Sequence, residues 1–130
     1  FKGRQNYLCT PRFQKALRQA DSLFETQEKL ELERINSWLA KTKDGTLSDM
    51  DWIPDAKVWA QVCSEPGICT ARSCNAENCH YQRAKARMQA SQVVVVNHHL
   101  LFLNLAKMDD NEGFLFGNDF LVFDEAHTVE

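Results

Sequence analysis

Four of the chain's five cysteines, Cys63, Cys69, Cys74 and Cys79, fall within seventeen residues. So dense a group of thiols ends in disulfides, in a metal centre or in a packed interior, and each outcome forces short loops on the chain around it. No secretory signal opens the sequence, because Lys2, Gly3 and Arg4 follow Phe1 without an apolar stretch. The start at Phe1 carries the expectation of a segment cut from a longer chain. In that setting the cysteines read as a metal site before a disulfide framework. Thiolate sulfur is a soft ligand and selects zinc or iron–sulfur clusters. Structural zinc sites commonly pair two tight C-x₂₋₄-C knuckles. Here Cys69-x₄-Cys74-x₄-Cys79 gives three evenly spaced thiols, with Cys9 sixty residues upstream of Cys69. That wider spacing suits the corners of a [4Fe–4S] cluster, yet spacing by itself leaves cluster and zinc near even. A thiol-based redox enzyme usually carries C-x-x-C, which does not occur. Cys63 is the surplus thiol and reads as a partly buried, unligated residue.

The chain around these thiols is expected to be helical. Thr10 before Pro11 marks a helix start, and Phe13, Leu17, Ala20 and Phe24 recur at helical spacing. The stripe blurs at Gln27 and Glu28 and resumes at Leu32, Ile35 and Leu39. The spacing allows one helix from Pro11 to about Lys43, or two joined near residue 26. Gly45 supplies a C-terminal stop. Asp55 caps a short helix through Val62, and residues 79–91 form another, with Tyr81, Ala84 and Met88 on its apolar stripe. Trp38, Trp52 and Trp59 read as core or interface anchors. Residues 93–96 are four valines, the composition of a strand buried on both faces. Residues 97–107 then read as a helix, 109–117 as a loop and 120–123 as a second buried strand. Strand, helix, strand in that order predicts part of a parallel βαβ unit. His98 and His99, at the start of the helix, read as interdomain surface rather than metal ligands.

Charge follows the same division. The net charge is −3, but residues 1–24 hold five bases against Asp21, and residues 57–91 hold five against Glu65 and Glu77. Both basic blocks contain the cysteines, and a local basic footprint can bind phosphate on an acidic chain. Hydrophobic content of 44% and charged content of 25% belong to the soluble globular class. No apolar run is long enough for a bilayer.

The segment Phe120-Leu121-Val122-Phe123-Asp124-Glu125-Ala126-His127 is an apolar strand delivering two carboxylates at its C-terminal end. In open α/β sheets ligands bind at that edge. Nucleotide hydrolysis needs one carboxylate for Mg²⁺ and a second to activate the attacking water. The full string resembles the DEAH box, the Walker B motif of superfamily 2 helicases. The resemblance implies that Asp124 holds Mg²⁺, that Glu125 is the general base for ATP hydrolysis, and that His127 couples the nucleotide site to the motor. A phosphate loop, G-x-x-x-x-G-K-[ST], is absent from the 130 residues, so the chain alone is expected not to hydrolyse ATP.

Lys2-Gly3-Arg4-Gln5-Asn6-Tyr7-Leu8-Cys9 resembles the string that opens the iron–sulfur insertion of DinG/XPD-like DNA helicases. Cys69 to Cys79, then Tyr81, Arg83 and Ala84, and the run from Val93 to Leu101 are similar to the close of that insertion. The likeness covers nearly the whole chain; the helical stretch 11–62 adds little to it. It implies an α/β parent in which residues 1–91 are a helical iron–sulfur insertion domain and residues 92–130 belong to motor domain 1. It implies Cys9, Cys69, Cys74 and Cys79 as [4Fe–4S] ligands. It implies DNA contact near the cluster, for which Arg4, Arg72 and Arg83 are the candidates, whereas Tyr7 and Tyr81 read as packing residues. The parent would be a 5′→3′ ATP-dependent DNA helicase using ATP and Mg²⁺ on single-stranded, forked or duplex DNA. Repair or replication proteins would be its partners, in the cytoplasm near the nucleoid of a bacterium. The competing reading is a zinc-stabilised nucleic-acid-binding or interaction module without catalysis.

Overall fold

The computed structural model describes residues 1–69, 74, 77–106 and 120–125. Its contacts divide the chain into one unit of Gly3–Ala90 and another of Phe1–Lys2 with Ser91–Glu130. The described residues are mostly helical, and no sheet forms among them.

In the unit Gly3–Ala90 the helices are α1 (Thr10–Arg18), α2 (Ala20–Leu23), α3 (Thr26–Leu39), α4 (Ala56–Val62) and α5 (His80–Gln89). The first helix begins one residue before the expected Pro11. Cys9 holds the N-cap, so Thr10 is already helical and does not cap with its hydroxyl. Its buried face carries Phe13 and Ala16, whereas Leu17 is 38% exposed. The stripe expected through residue 17 is therefore rotated by one position, because α1 stops at Arg18 and does not extend its register to Phe24. Of the two expected arrangements, the broken one forms. α3 restarts with a capping box in which Glu25 and Glu28 satisfy each other's backbone amides. α4 begins where Asp55 accepts the amides of Lys57 and Val58, at 2.8 and 3.0 Å.

Leu8, Phe13, Ala16, Phe24, Leu32, Ile35, Trp38, Val58, Trp59, Val62 and Cys63 form one buried cluster from α1, α3, α4 and their flanks. The three indole N–H groups are all bonded: Trp38 to Asp49 O, Trp52 to the Glu31 carboxylate and Trp59 to Gln5 O. Each thus buries ring area without stranding a donor.

A short extended segment threads this core. Tyr7 bridges Thr46 and Leu8 bridges Cys63, both antiparallel. The Leu8 amide donates to Gly45 O at 2.8 Å and the Cys9 amide to Val62 O at 2.8 Å. The Ser64 amide returns a bond to Tyr7 O at 2.7 Å. This ladder fixes the register between Cys9 and the loop that opens at Cys63.

In the other unit, α6 (His98–Ala106) forms where expected. The Asn97 side chain accepts the Leu100 amide at 2.8 Å, as an N-cap does. Residues 93–96 and 120–123 adopt no strand. Val93, Val95, Phe120 and Val122 stand 80% or more exposed. Parallel strands need hydrogen-bonded neighbours and cover on both faces, and no strand among the described residues pairs with either segment. Phe123 instead lies against α6, its ring 6.4 Å from Phe102 and 5.8 Å from His98. The expected loop at 109–117 lies outside the described residues. No described helix is long and apolar enough to cross a membrane.

Candidate functional site

The ladder at residues 7–9 brings the first cysteine to Cys69. Cys9 and Cys69, sixty residues apart in sequence, place their sulfurs 3.2 Å apart. Cys9 and Cys79 occupy the N-cap positions of α1 and α5, without a side-chain bond to the helix amides. All five cysteines are buried, and among the described residues no disulfide forms.

Their electrostatics reflect burial first and neighbouring sulfurs second. Burial pushes the Cys9 thiol up to about 12, and the nearby Cys69 and Cys74 sulfurs add to the rise. Cys79 is also raised, by burial first and then by Cys74 and Cys69 against the opposing amides of Gln82 and Tyr81. For Cys69, burial opposes ionisation. The neighbouring Ser64 side chain, the Glu65 backbone and Cys9, with the charge of Arg12, outweigh it and bring the thiol below its ordinary value. Cys9 and Cys79 thus both lie within reach of the Cys69 and Cys74 sulfurs. Cys63 differs in its packing: it belongs to the apolar cluster and its sulfur lies 3.8 Å from Ala60 O, while its thiol is raised by burial first and, more weakly, by Glu65 and Cys69.

Three side chains clamp this region. Arg4 donates to Cys69 O at 2.6 Å and lays its guanidinium 4.4 Å above the Tyr81 ring. Tyr81 meets Tyr7 edge-on, with centroids 5.6 Å apart. Both tyrosines are buried, as packing residues are. Arg12 donates to Cys63 O at 2.7 Å and to Ala60 O at 2.9 Å, and pairs with Glu65 at 2.8 Å. Its planar fork spans the end of α4 and the start of the cysteine loop, a task suited to guanidinium. His80, next to Cys79, packs against Gly45, and its Nδ1 lies 2.6 Å from Arg83 Nη2. Burial, followed by the Arg83 charge, lowers His80 below its ordinary value.

Arg12, Ser64 and the Gly45–His80 contact were not singled out from the sequence. Their roles depend on which carbonyl or ring they reach through the fold, and no local spacing encodes that.

The carboxylate pair lies in the other unit. Asp124 and Glu125 are exposed, and the Glu125 amide donates to Asp124 Oδ1 at 3.0 Å. Glu125 has φ of 54°, an uncommon conformation for a residue with a Cβ. His127 and Arg72 lie outside the described residues. Among the described residues, no set of three or more His, Cys, Asp or Glu side chains is gathered around the position of a single metal ion. Cys9, Cys69, Cys74 and Cys79 are buried sulfur donors, soft ligands of the kind that zinc and iron–sulfur centres both take.

Comparison with curated proteins finds relatives along nearly the full chain. The chain is 32% identical over 131 residues to the ATP-dependent DNA helicase YoaA of Haemophilus influenzae, covering 98% of this chain and 20% of that protein. It is 33% identical over 132 residues to YoaA of Escherichia coli, with the same coverage. It is 29% identical over 142 residues to the ATP-dependent helicase DinG of Mycobacterium tuberculosis, covering 98% of this chain and 21% of that protein. The chain therefore spans about one-fifth of the length of these relatives. No family model matches, and no solved structure matches.

Proposed function

We propose that this chain, a homologue of the DinG-like helicases across nearly its whole length, is the iron–sulfur and DEAH-box segment of an ATP-dependent DNA helicase. Residues 1–91 would form the cluster domain, and residues 92–130 part of motor domain 1 with a partial βαβ unit. The observation that carries the reading is the meeting of Cys9 and Cys69, 3.2 Å apart across sixty residues of sequence, with Cys74 and Cys79 inside the same electrostatic neighbourhood.

Cys9, Cys69, Cys74 and Cys79 are the ligands in this reading, and Cys63 is a packing residue of the core. When bound, a [4Fe–4S] cluster supplies a cross-link among four chain segments and a one-electron redox centre. Arg4 and Arg12 hold the two ends of the ligand loop by its carbonyls. Arg4, Arg72 and Arg83 supply cations for DNA phosphates, with Arg4 also acting through its bond to Cys69. In the motor segment Asp124 holds Mg²⁺, Glu125 activates the attacking water and His127 couples that site to strand movement. The whole protein would translocate 5′→3′ on single-stranded DNA and open forked or duplex substrates. Its partners would be repair or replication proteins, and its place the cytoplasm near the nucleoid.

The test is anaerobic expression of the chain with iron and sulfide quantitation, repeated with each cysteine changed to serine. Loss of the centre is expected from Cys9→Ser, Cys69→Ser, Cys74→Ser and Cys79→Ser, and retention from Cys63→Ser. A brown protein that keeps its iron after Cys9→Ser overturns the ligand set. A colourless zinc protein without sulfide overturns the cluster.

A further inference from the structure

Cys9 and Cys69 are held against one another by their backbones. The Cys9 amide donates to Val62 O at 2.8 Å, and Cys9 O accepts the Phe13 amide at 2.9 Å. The Cys69 amide donates to Glu65 O at 3.1 Å, and Cys69 O accepts from Arg4 at 2.6 Å. With both ends of each residue fixed, the two sulfurs meet at 3.2 Å, and the residues are only 1% and 0% exposed. That separation is short for two ligands of one centre. Two thiolates on a single tetrahedral zinc stand about 3.8 Å apart, given zinc–sulfur bonds of about 2.3 Å, and those on separate irons of a cluster stand farther. It is also only about 1.2 Å longer than a sulfur–sulfur bond. Binding a centre therefore opens the pair and oxidation closes it, so the two states exclude each other. Cys63 is nearer to Cys69 in sequence, but its sulfur lies against Ala60 O at 3.8 Å within the apolar cluster.

We infer that Cys9 and Cys69 are a redox-responsive pair: when the centre is gone, hydrogen peroxide joins them in a disulfide that withdraws two of the four ligands and bars reloading until a thiol reductant reopens it. The inference rests on the reading of both residues as ligands. One sulfur, as thiolate, attacks the peroxide; its S–O bond forms as the O–O bond breaks, giving a sulfenic acid and hydroxide. The other sulfur then attacks the first. The S–S bond forms, the S–O bond breaks and water leaves. In sum, two thiols lose two electrons and one peroxide becomes two waters. Reopening is thiol–disulfide exchange, in which two reductant thiols become one disulfide and their protons return to the cysteines. Burial selects the oxidant, because hydrogen peroxide reaches enclosed sulfurs far more readily than a bulky disulfide does. The bridge joins residues sixty apart in sequence, so it also keeps two ligand segments together by closing a long loop.

The experiment uses the full chain, prepared anaerobically with its thiols reduced, freed of metal by a chelator and treated with one equivalent of hydrogen peroxide. Remaining thiols are alkylated, and the chain is cut with trypsin without reduction. Cleavage places Cys9 in residues 5–12, Cys63 with Cys69 in 58–72, and Cys74 with Cys79 in 73–83. The expected product joins 5–12 to 58–72, lighter than the two peptides by a pair of hydrogens, and fragmentation finds the bridge on Cys69 and the alkyl group on Cys63. Zinc then probes reloading, because it takes the same thiolates and, unlike sulfide, does not reduce a disulfide. Its affinity for the peroxide-treated chain should fall by more than about a hundredfold, beyond what disturbing the outer partners of a ligand costs, and a phosphine reductant should restore it. A bridge within 73–83, a bridge to Cys63, or alkylation of all five thiols overturns the pair. A Cys9–Cys69 bridge that leaves zinc affinity unchanged overturns the bar on reloading. Neither measurement needs a cluster, so a reduced chain that takes zinc but never iron with sulfide strikes the cluster and leaves the pair standing.

Discussion

At Gly45 the backbone takes φ of 62°, and a Cβ built there would lie 2.2 Å from the His80 ring. The glycine is needed twice over, once for its dihedral and once for the imidazole that occupies the space. Gly45→Ala should therefore destabilise the chain by more than about 1 kcal/mol, since alanine at positive φ is strained even without a clash. Chemical denaturation measures it. His80→Ala in the same chain should recover the part due to the clash and leave the part due to φ. Additive losses would show that the two residues do not meet. Arg12 gives a second test of the same kind. Its bonds to Cys63 O and Ala60 O are charge-assisted, so Arg12→Ala should cost about 2 kcal/mol. Arg12→Lys should recover little of this, because an ammonium does not reproduce the planar fork. Full recovery by lysine would reduce the role of Arg12 to charge.

Among the elements, α4 depends most visibly on one residue. Asp55 accepts two first-turn amides of a helix only seven residues long, so Asp55→Ala should lower stability by about 1 kcal/mol, read as a shift in the unfolding midpoint. Asp55→Asn, which retains the accepting oxygen, should cost much less. This cap was legible in the sequence because capping chemistry is local: the side chain and the amides it satisfies lie within three residues. α5 and α6 were legible as helices too, although Cys79 at the N-cap of α5 makes no side-chain bond to its amides. The start of α1 was misplaced because Cys9, a poor capping residue by type, is held at the N-cap position by its amide's bond to Val62, a partner 53 residues away. The restart at α3 was legible only as a blur, since its capping box uses Glu25 where serine or threonine is the usual signal. The four valines at 93–96 carry strong β propensity, but propensity does not supply the neighbouring strands on which a buried strand depends. The cysteines themselves were legible as a group. That Cys9 would meet Cys69 was implied by the resemblance but not by spacing, because the meeting depends on the Tyr7–Cys9 ladder with residues 45–46 and 62–64.

Across the unit Gly3–Ala90, stability comes from two sources that can be separated. The apolar cluster joins α1, α3 and α4, and α5 contributes no residue to it. The last helix is tied instead by Cys79 at its N-cap, by Tyr81 beneath the Arg4 guanidinium and edge-on to Tyr7, by His80 on Gly45, and by an exposed Arg87–Asp44 ion pair of little energetic weight. Three of these ties lie within the first turn of α5, next to a proposed ligand. A centre bound by Cys9, Cys69, Cys74 and Cys79 would contribute its binding energy to holding α5 and the cysteine loop, and much less to the three-helix core. Removing iron with a chelator under anaerobic conditions should therefore act unevenly. Amide hydrogen exchange should rise first and furthest in α5 and around Cys69, while Leu32 and Ile35 in α3 keep most of their protection. Far-UV dichroism should then show a partial loss of helix, with a remaining transition on heating. If α3 and α5 lost protection together at the same chelator exposure, the centre would be holding the whole unit, and the apolar cluster could not stand without it.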